Sequence, residues 1–187
     1  MLYGADFRVK RGVMAVHLVL GGARSGKSVY AQRAAETAAA AGGRAPVLIA
    51  TAEALDDEMA TRIVAHRQSR GSQWTTIEAP IALAQSIKDV PPGNYVVVDC
   101  LTLWMSNLLM RNSDVDVAVD ELLAAVAATS GEIWLISNEV GLGLVPETPL
   151  GRAFRDAAGR LHQRLAAVAD EVVLLVAGLP LPLKPRR

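Results

Sequence analysis

The clearest chemistry of the chain lies in Gly21-Gly22-Ala23-Arg24-Ser25-Gly26-Lys27-Ser28, a complete G-x-x-x-x-G-K-[ST] pattern. Gly21, Gly22 and Gly26 let the backbone curl tightly and aim successive N–H groups at one anion. A helix opening at Lys27 adds the partial positive charge of its amino end. Lys27 reaches toward the β- and γ-phosphates of a bound triphosphate, and the Ser28 hydroxyl suits Mg²⁺. The alternative, a glycine turn that happens to read Gly-Lys-Ser, lacks a reason for the flanking segments. An apolar, β-prone run, Val16 to Leu20, precedes the loop, and a helix-prone run, Val29 to Ala41, follows it. Strand, glycine turn and helix form the context in which this loop works.

A second element is Tyr95-Val96-Val97-Val98-Asp99, an apolar strand ending in a carboxylate. Asp99 is either a strand-end turn residue or, downstream of a phosphate loop, a Mg²⁺ holder acting partly through water. Cys100 follows it, where ATP-driven motors commonly place a glutamate that polarises water. That substitution points toward group transfer to an acceptor other than water.

The third element is His66. Met59, Ile63, His66 and Arg70 recur at helical spacing on one face of a helix expected over Asp56 to Arg70. Periodicity alone allows a half-buried structural histidine. The chemical reading is nucleophilic attack by neutral imidazole on phosphorus, with Arg67 and Arg70 stabilising phosphate charge. His17 falls inside the first strand and reads as structural. His162 falls among Arg160 and Arg164 and reads as lying on a solvated helix face.

These residues need a scaffold. Six segments read as strands: Val16 to Leu20, Val47 to Ala50, Trp74 to Ile77, Tyr95 to Asp99, Ile133 to Ser137 and Val172 to Val176. Four are near-continuous apolar runs, as expected of a largely parallel sheet buried on both faces. Trp74 to Ile77 is more polar and suits a sheet edge. Helices are expected at Lys27 to Ala41, Asp56 to Arg70, Ile81 to Val90, Leu101 to Arg111, Val115 to Ala128 and Arg152 to Ala169. The alternation predicts an α/β fold with helices on both faces and ligands at the carboxyl ends of the strands. The stretches Pro91 to Asn94 and Gly141 to Pro146 read as loops. Leu101 to Met105 and Leu108 to Met110 are apolar on more than one helix face, which fits core or a subunit interface; the interface is the favoured expectation.

The chain has 187 residues, about half of them hydrophobic, with balanced charge. That is one domain's worth, with no basic surplus of the kind a general nucleic-acid binder carries. The basic tail Lys184-Pro185-Arg186-Arg187 reads as a solvated end. A single cysteine excludes an internal disulfide and fits a reducing cytoplasm. No apolar run is long enough to span a membrane. Residues 1–13 read as a disordered extension ahead of a domain at 14–187, and Met14 is a candidate start.

In order along the chain, these stretches resemble the bifunctional adenosylcobinamide kinase / adenosylcobinamide-phosphate guanylyltransferase family of cobalamin biosynthesis. The likeness runs from about Val16 to Val176. It rests on Gly21 to Ser28, Ile49-Ala50-Thr51-Ala52, Leu55 to Met59, Arg62-Ile63 leading to His66-Arg67, and Trp74 with Glu78. It continues through Asp99-Cys100-Leu101-Thr102, Asn107-Leu108-Leu109, Ser137 to Pro146, and the helix from Phe154-Arg155-Asp156 to Gln163-Arg164-Leu165. The resemblance implies a single-domain P-loop, recombinase-like fold and a homotrimer. It implies that ATP or GTP phosphorylates adenosylcobinamide, and that GMP passes from GTP through His66 to adenosylcobinamide phosphate. It further implies nucleotide contacts at the phosphate loop, Thr51, Ala52, Glu53, Arg67, Gln68, Ser69, Arg70, Glu78 and Asp99. Two departures stand out. Ala65 precedes His66 where the family often has a second histidine, and Gln68-Ser69 replaces the usual acidic and glycine pair. His162 stands where asparagine is common. The rival readings are a P-loop small-molecule kinase without a transferase step and a non-catalytic nucleotide-dependent regulator. Glu139, after the fifth strand, is a weaker candidate for substrate or metal contact, with a turn-stabilising role as its alternative.

Overall fold

The computed structural model describes residues 15–54 and 71–185. The expected helix over Asp56 to Arg70, with His66, Arg67, Gln68, Ser69 and Arg70, lies outside them, as do residues 1–14.

Seven strands form one sheet: β1 (Ala15–Gly21), β2 (Val47–Ala50), β3 (Thr75–Glu78), β4 (Tyr95–Asp99), β5 (Glu132–Asn138), β6 (Glu171–Val176) and β7 (Leu179–Lys184). Their order is β3-β2-β4-β5-β1-β6-β7. Every pair is parallel except the β6–β7 hairpin. The polar strand β3 is at one edge, as its composition predicts.

The helices are α1 (Lys27–Gly42), α2 (Leu83–Asp89), α3 (Leu101–Met110), α4 (Val115–Ala128) and α5 (Pro149–Val168). Alternation along the strands divides the core. Val16, Leu18 and Leu20 of β1, Val96 and Val98 of β4, and Ile133 and Leu135 of β5 pack against α2 to α5. Val19, Val97, Trp134 and Ile136 face the other way, toward α1. That helix presents Ala31, Ala35 and Ala39, all buried, so its backbone approaches the sheet closely. Both faces are therefore covered, which is why the inner strands read as continuous apolar runs.

Three features depart from the sequence expectations. Residues 179–184 form a seventh strand, beyond the six expected, and it takes in Lys184, the first residue of the stretch expected to be a solvated end. The Lys184 amine donates to the carbonyls of Ala166 at 3.1 Å and of Ala169, at the end of α5. The helix α5 starts at Pro149, three residues before the expected Arg152, because Thr148 caps it by accepting the Gly151 N–H at 3.1 Å. The apolar helix α3 is a core helix: Leu101, Trp104, Met105 and Leu108 are buried, and Trp104 donates its indole N–H to Ile81 O at 2.9 Å. Core burial accounts for the apolar faces that an interface was expected to explain.

Candidate functional site

The phosphate loop joins β1 to α1 at the carboxyl end of the sheet. Its geometry follows from its glycines. Gly26 has φ +97° and Arg24 φ +55°, so the chain turns through left-handed conformations before the helix begins. A Cβ at Gly21 would sit 2.5 Å from Leu175 O, on the neighbouring strand. The loop thus passes closer to β6 than any other residue allows. Gly22, Ala23 and Arg24 are exposed, whereas Ser25 and Lys27 are buried.

The Lys27 amine folds back over the loop, donating to Gly22 O at 2.6 Å and meeting Ser25 Oγ at 3.4 Å. Burial lowers its pKa, and the nearby Cys100 and Asp99 pull it back up. Loop lysine and strand-end carboxylate thus lie at the same edge of the sheet, although their strands are separated by β5. A triphosphate at Lys27 would bring negative charge to a cation held in a poorly solvated place.

Asp99 is half-exposed at the end of β4, and Ser28 is half-exposed in the first turn of α1. Among the described residues no cluster of three or more His, Cys, Asp or Glu side chains could hold a metal. One hydroxyl and one carboxylate fit Mg²⁺, which keeps most of its waters and accepts few protein oxygens. They do not fit a cation that needs a full protein cage.

Behind Asp99 stands Thr51, fully buried after β2. Its hydroxyl accepts the Cys100 N–H at 2.9 Å and donates to Cys100 O at 2.6 Å. Its own N–H bonds Asp99 O at 3.2 Å, and Asn107 Nδ2 reaches Thr51 O at 2.9 Å. Thr51 clamps the β4 terminus from the side, so its bonding serves Asp99. Glu53, two residues on, pairs with Arg111 at 2.7 Å, which lowers its pKa. Ala52 lies between them, and Glu78 closes β3 at the same edge. The described candidates thus converge on the carboxyl ends of β1, β2, β3 and β4, where ligands of such sheets bind.

Cys100 is buried and its thiol is pushed up to about 11, chiefly by desolvation. It is an inert small side chain there, not a nucleophile. Glu139 accepts the N–H groups of Gly141 at 2.8 Å and Leu142 at 3.1 Å, the turn-stabilising alternative among its readings. The loop it caps exposes Leu142, Leu144 and Val145 beside the phosphate loop, to which it is tied by Glu139 N and Gly21 O at 2.9 Å. A shallow groove between α2 and α4 lies at the opposite, amino end of β4 and β5 and takes no part in this site.

The histidines divide differently from their sequence reading in one case. His17 is structural as expected: it stacks on Trp134 with ring centroids 4.8 Å apart and bonds Glu171 at 2.7 Å and Glu132 at 3.2 Å. His162 turns inward from α5 rather than into solvent. Its Nε2 meets Ser137 Oγ at 2.7 Å, and Ser137 continues to Thr102 at 3.2 Å. Thr102 in turn accepts the Asn138 N–H at 2.6 Å. Burial lowers the His162 pKa, partly offset by Glu139. This chain of side chains fixes the end of β5 next to the phosphate loop. Its helical position, one step from buried Leu161, was the available signal, because a ring can reach across that boundary.

Comparison with known proteins agrees with this picture. Residues 17–183 match the family model described as cobinamide kinase / cobinamide phosphate guanyltransferase. The chain is 47% identical over 170 residues to the bifunctional adenosylcobalamin biosynthesis protein CobP of Pseudomonas aeruginosa, covering 89% of this chain and 96% of that one. It is 41% identical over 184 residues to the bifunctional adenosylcobalamin biosynthesis protein CobU of Escherichia coli, covering 89% and 98%. Among solved structures, the flagellar accessory protein FlaH from Methanocaldococcus jannaschii superposes with a TM-score of 0.50 at 13% identity, covering 91% of this chain and 78% of that one. That likeness is one of fold alone.

Proposed function

The chain belongs to the cobinamide kinase / cobinamide phosphate guanyltransferase family, and on that premise we propose that one phosphate cradle serves two transfers on a corrinoid. In the first, the aminopropanol hydroxyl of adenosylcobinamide attacks the γ-phosphorus of ATP or GTP. An O–P bond forms, the bridge to the β-phosphate breaks, and the hydroxyl proton leaves to solvent. In the second, neutral His66 attacks the α-phosphorus of GTP and pyrophosphate departs. The ring then holds GMP through an N–P bond and loses its remaining N–H proton to solvent. The phosphate of adenosylcobinamide phosphate attacks that phosphorus, the N–P bond breaks as the ring takes a proton back from solvent, and adenosylcobinamide-GDP is released with His66 neutral again. Splitting one transfer into two lowers the barrier of each.

The observation that carries this reading is the phosphate loop itself, with the Lys27 amine folded over Gly22 O at 2.6 Å and Asp99 ending β4 at the same carboxyl edge of the sheet. Lys27 neutralises charge on the departing group, and the N–H groups from Gly21 to Ser28 cradle the phosphates. Ser28 and Asp99 would hold Mg²⁺, which would supply Lewis-acid charge neutralisation. Ala52, Glu53 and Glu78 border the nucleotide from the β2–β3 side, buried Thr51 supports that edge from within rather than touching the nucleotide as expected, and Arg67, Gln68, Ser69 and Arg70 complete the site from the His66 segment. The exposed Leu142, Leu144 and Val145 offer the broad corrinoid an apolar rest. The working assembly is a homotrimer in the cytoplasm. No helix among the described residues is long and apolar enough to cross a membrane.

Incubation with Mg²⁺ and GTP labelled at the α-phosphate, followed by denaturation, tests the proposal. Protein-bound GMP, labile in acid and stable in base, is expected in the wild type and absent from His66→Ala. A wild type that never acquires the label overturns the transferase step and leaves a kinase.

A further inference from the structure

We propose that Gly178, in the turn of the β6–β7 hairpin, is a positioning residue for the phosphate loop. The proposal rests on the reading of Gly21 to Ser28 as the triphosphate cradle. Gly178 N–H donates to Ser25 O at 3.0 Å, from a point more than 150 residues away in sequence. The contact is backbone to backbone: a Cβ on Gly26 would lie 3.3 Å from Gly178 Cα. The turn itself is held in shape by two left-handed residues, Ala177 at φ +52° and Gly178 at φ +82°, the conformation of a tight two-residue hairpin. Its strands are anchored as well. β6 pairs with β1 along its length, and Lys184 bonds the end of α5.

The consequence follows from peptide geometry. In a planar trans peptide the C=O and the next N–H point in opposite directions. Drawing the Ser25 carbonyl outward onto the hairpin turns the Gly26 N–H to the other side, into the concave face of the loop. Gly26 has the positive φ that makes this orientation one of several open to glycine. The loop sequence permits the cradle; the hairpin selects the peptide orientation that aims a donor at the phosphates. Ser25 N–H bonds Gly22 O at 3.3 Å, so the selected peptide is also tied to the front of the loop.

The test compares Gly178→Val, Gly178→Asn and a one-glycine insertion between Ala177 and Gly178. Asn tolerates the left-handed conformation and keeps the N–H in place; Val does not, and the insertion displaces the N–H while sparing both strands. Binding of Mg²⁺ and the β,γ-imido analogue of ATP is measured by calorimetry, with the fold checked by circular dichroism, and the kinase KM for ATP is measured beside kcat. Gly178→Val and the insertion are expected to weaken binding about tenfold or more and to raise KM, with Gly178→Asn within about threefold of wild type. A merely structural hairpin would lower the active fraction and kcat while leaving KM in place. If Gly178→Val does not fold, the insertion decides. Folded hairpin variants that bind as wild type overturn the inference. Lys27→Ala separates the two levels: if it too binds as wild type, the cradle reading falls; if it alone weakens binding, only the role of Gly178 does.

Discussion

Replacing Thr51 by valine changes one hydroxyl to a methyl at nearly constant volume, in a side chain with no exposure to solvent. The packing is preserved, so the cost is polar. The Cys100 carbonyl keeps its bond from Trp104 N–H at 3.2 Å, but the Cys100 N–H loses its acceptor, the Thr51 hydroxyl. A buried donor left unsatisfied costs about 1–3 kcal/mol, and the lost bond to Cys100 O adds about 1 kcal/mol. Part of this returns through the added methyl, about 0.8 kcal/mol. The expected destabilisation is about 1–3 kcal/mol, a fall of about 0.5–1.5 M in the urea midpoint at a slope of about 2 kcal/mol/M. Because the same clamp holds Asp99, the kinase turnover should fall about tenfold to a hundredfold even where the protein is fully folded. Thr51→Ser keeps the hydroxyl and loses only a methyl, so it should cost about 1 kcal/mol and leave turnover near wild type. A Thr51→Val protein within about 0.5 kcal/mol of wild type refutes the bonding argument. A Thr51→Ser variant as inactive as Thr51→Val refutes the link to Asp99.

Gly131, Ala177 and His162 offer three more perturbations with opposite or independent effects. Gly131→Ala would put a Cβ 1.9 Å from Asn94 O, a backbone atom, so thermal or urea unfolding should show a loss of about 3 kcal/mol, while the folded protein binds triphosphate normally because the clash lies at the far end of the strands. Ala177→Asn should raise stability by about 0.5–1 kcal/mol in urea unfolding, since Ala177 bears a left-handed φ that Asn tolerates better. His162 is held below its usual value of 6.5 by burial, so the native state binds fewer protons than the unfolded chain as pH falls. Its contribution is present in full above about pH 6.5, declines as pH drops through the lowered folded value, and levels off below it. His162→Asn should remove that part of the decline between pH 7.5 and acid conditions; an unchanged pH profile of the urea midpoint counts against a buried, neutral His162.

What the sequence reveals here is whatever is encoded between near neighbours. The phosphate loop is legible because a strand, a glycine turn and a helix stand side by side within about one βα unit. The inner strands are legible because burial on both faces makes them apolar throughout. Asp99 follows from the same logic, as the polar end of such a run. His17 could be placed by its strand, although nothing local announced Glu132 and Glu171 as its partners. Thr51 is different: a single threonine after a strand gives no sign that its hydroxyl bridges both polar groups of Cys100.

The β6–β7 hairpin shows the physical limit most clearly. Pro180 and Pro182 argue against a strand, because each withholds an N–H from the ladder. In an antiparallel pair, however, alternate residues face away from the partner. Leu181 stands opposite Leu174 and Pro180 opposite Leu175, at the outer edge of the sheet. An N–H missing from the outward side deprives the ladder of nothing, and it denies a further strand its hydrogen bonds. The prolines that hide the strand from a sequence reading are therefore compatible with it only at this edge. That edge is where the chain must return for its turn to reach the phosphate loop. The shape of the cradle is thus written in two places: in Gly21 to Ser28, which make it possible, and in residues 177–178, which no local pattern connects to it.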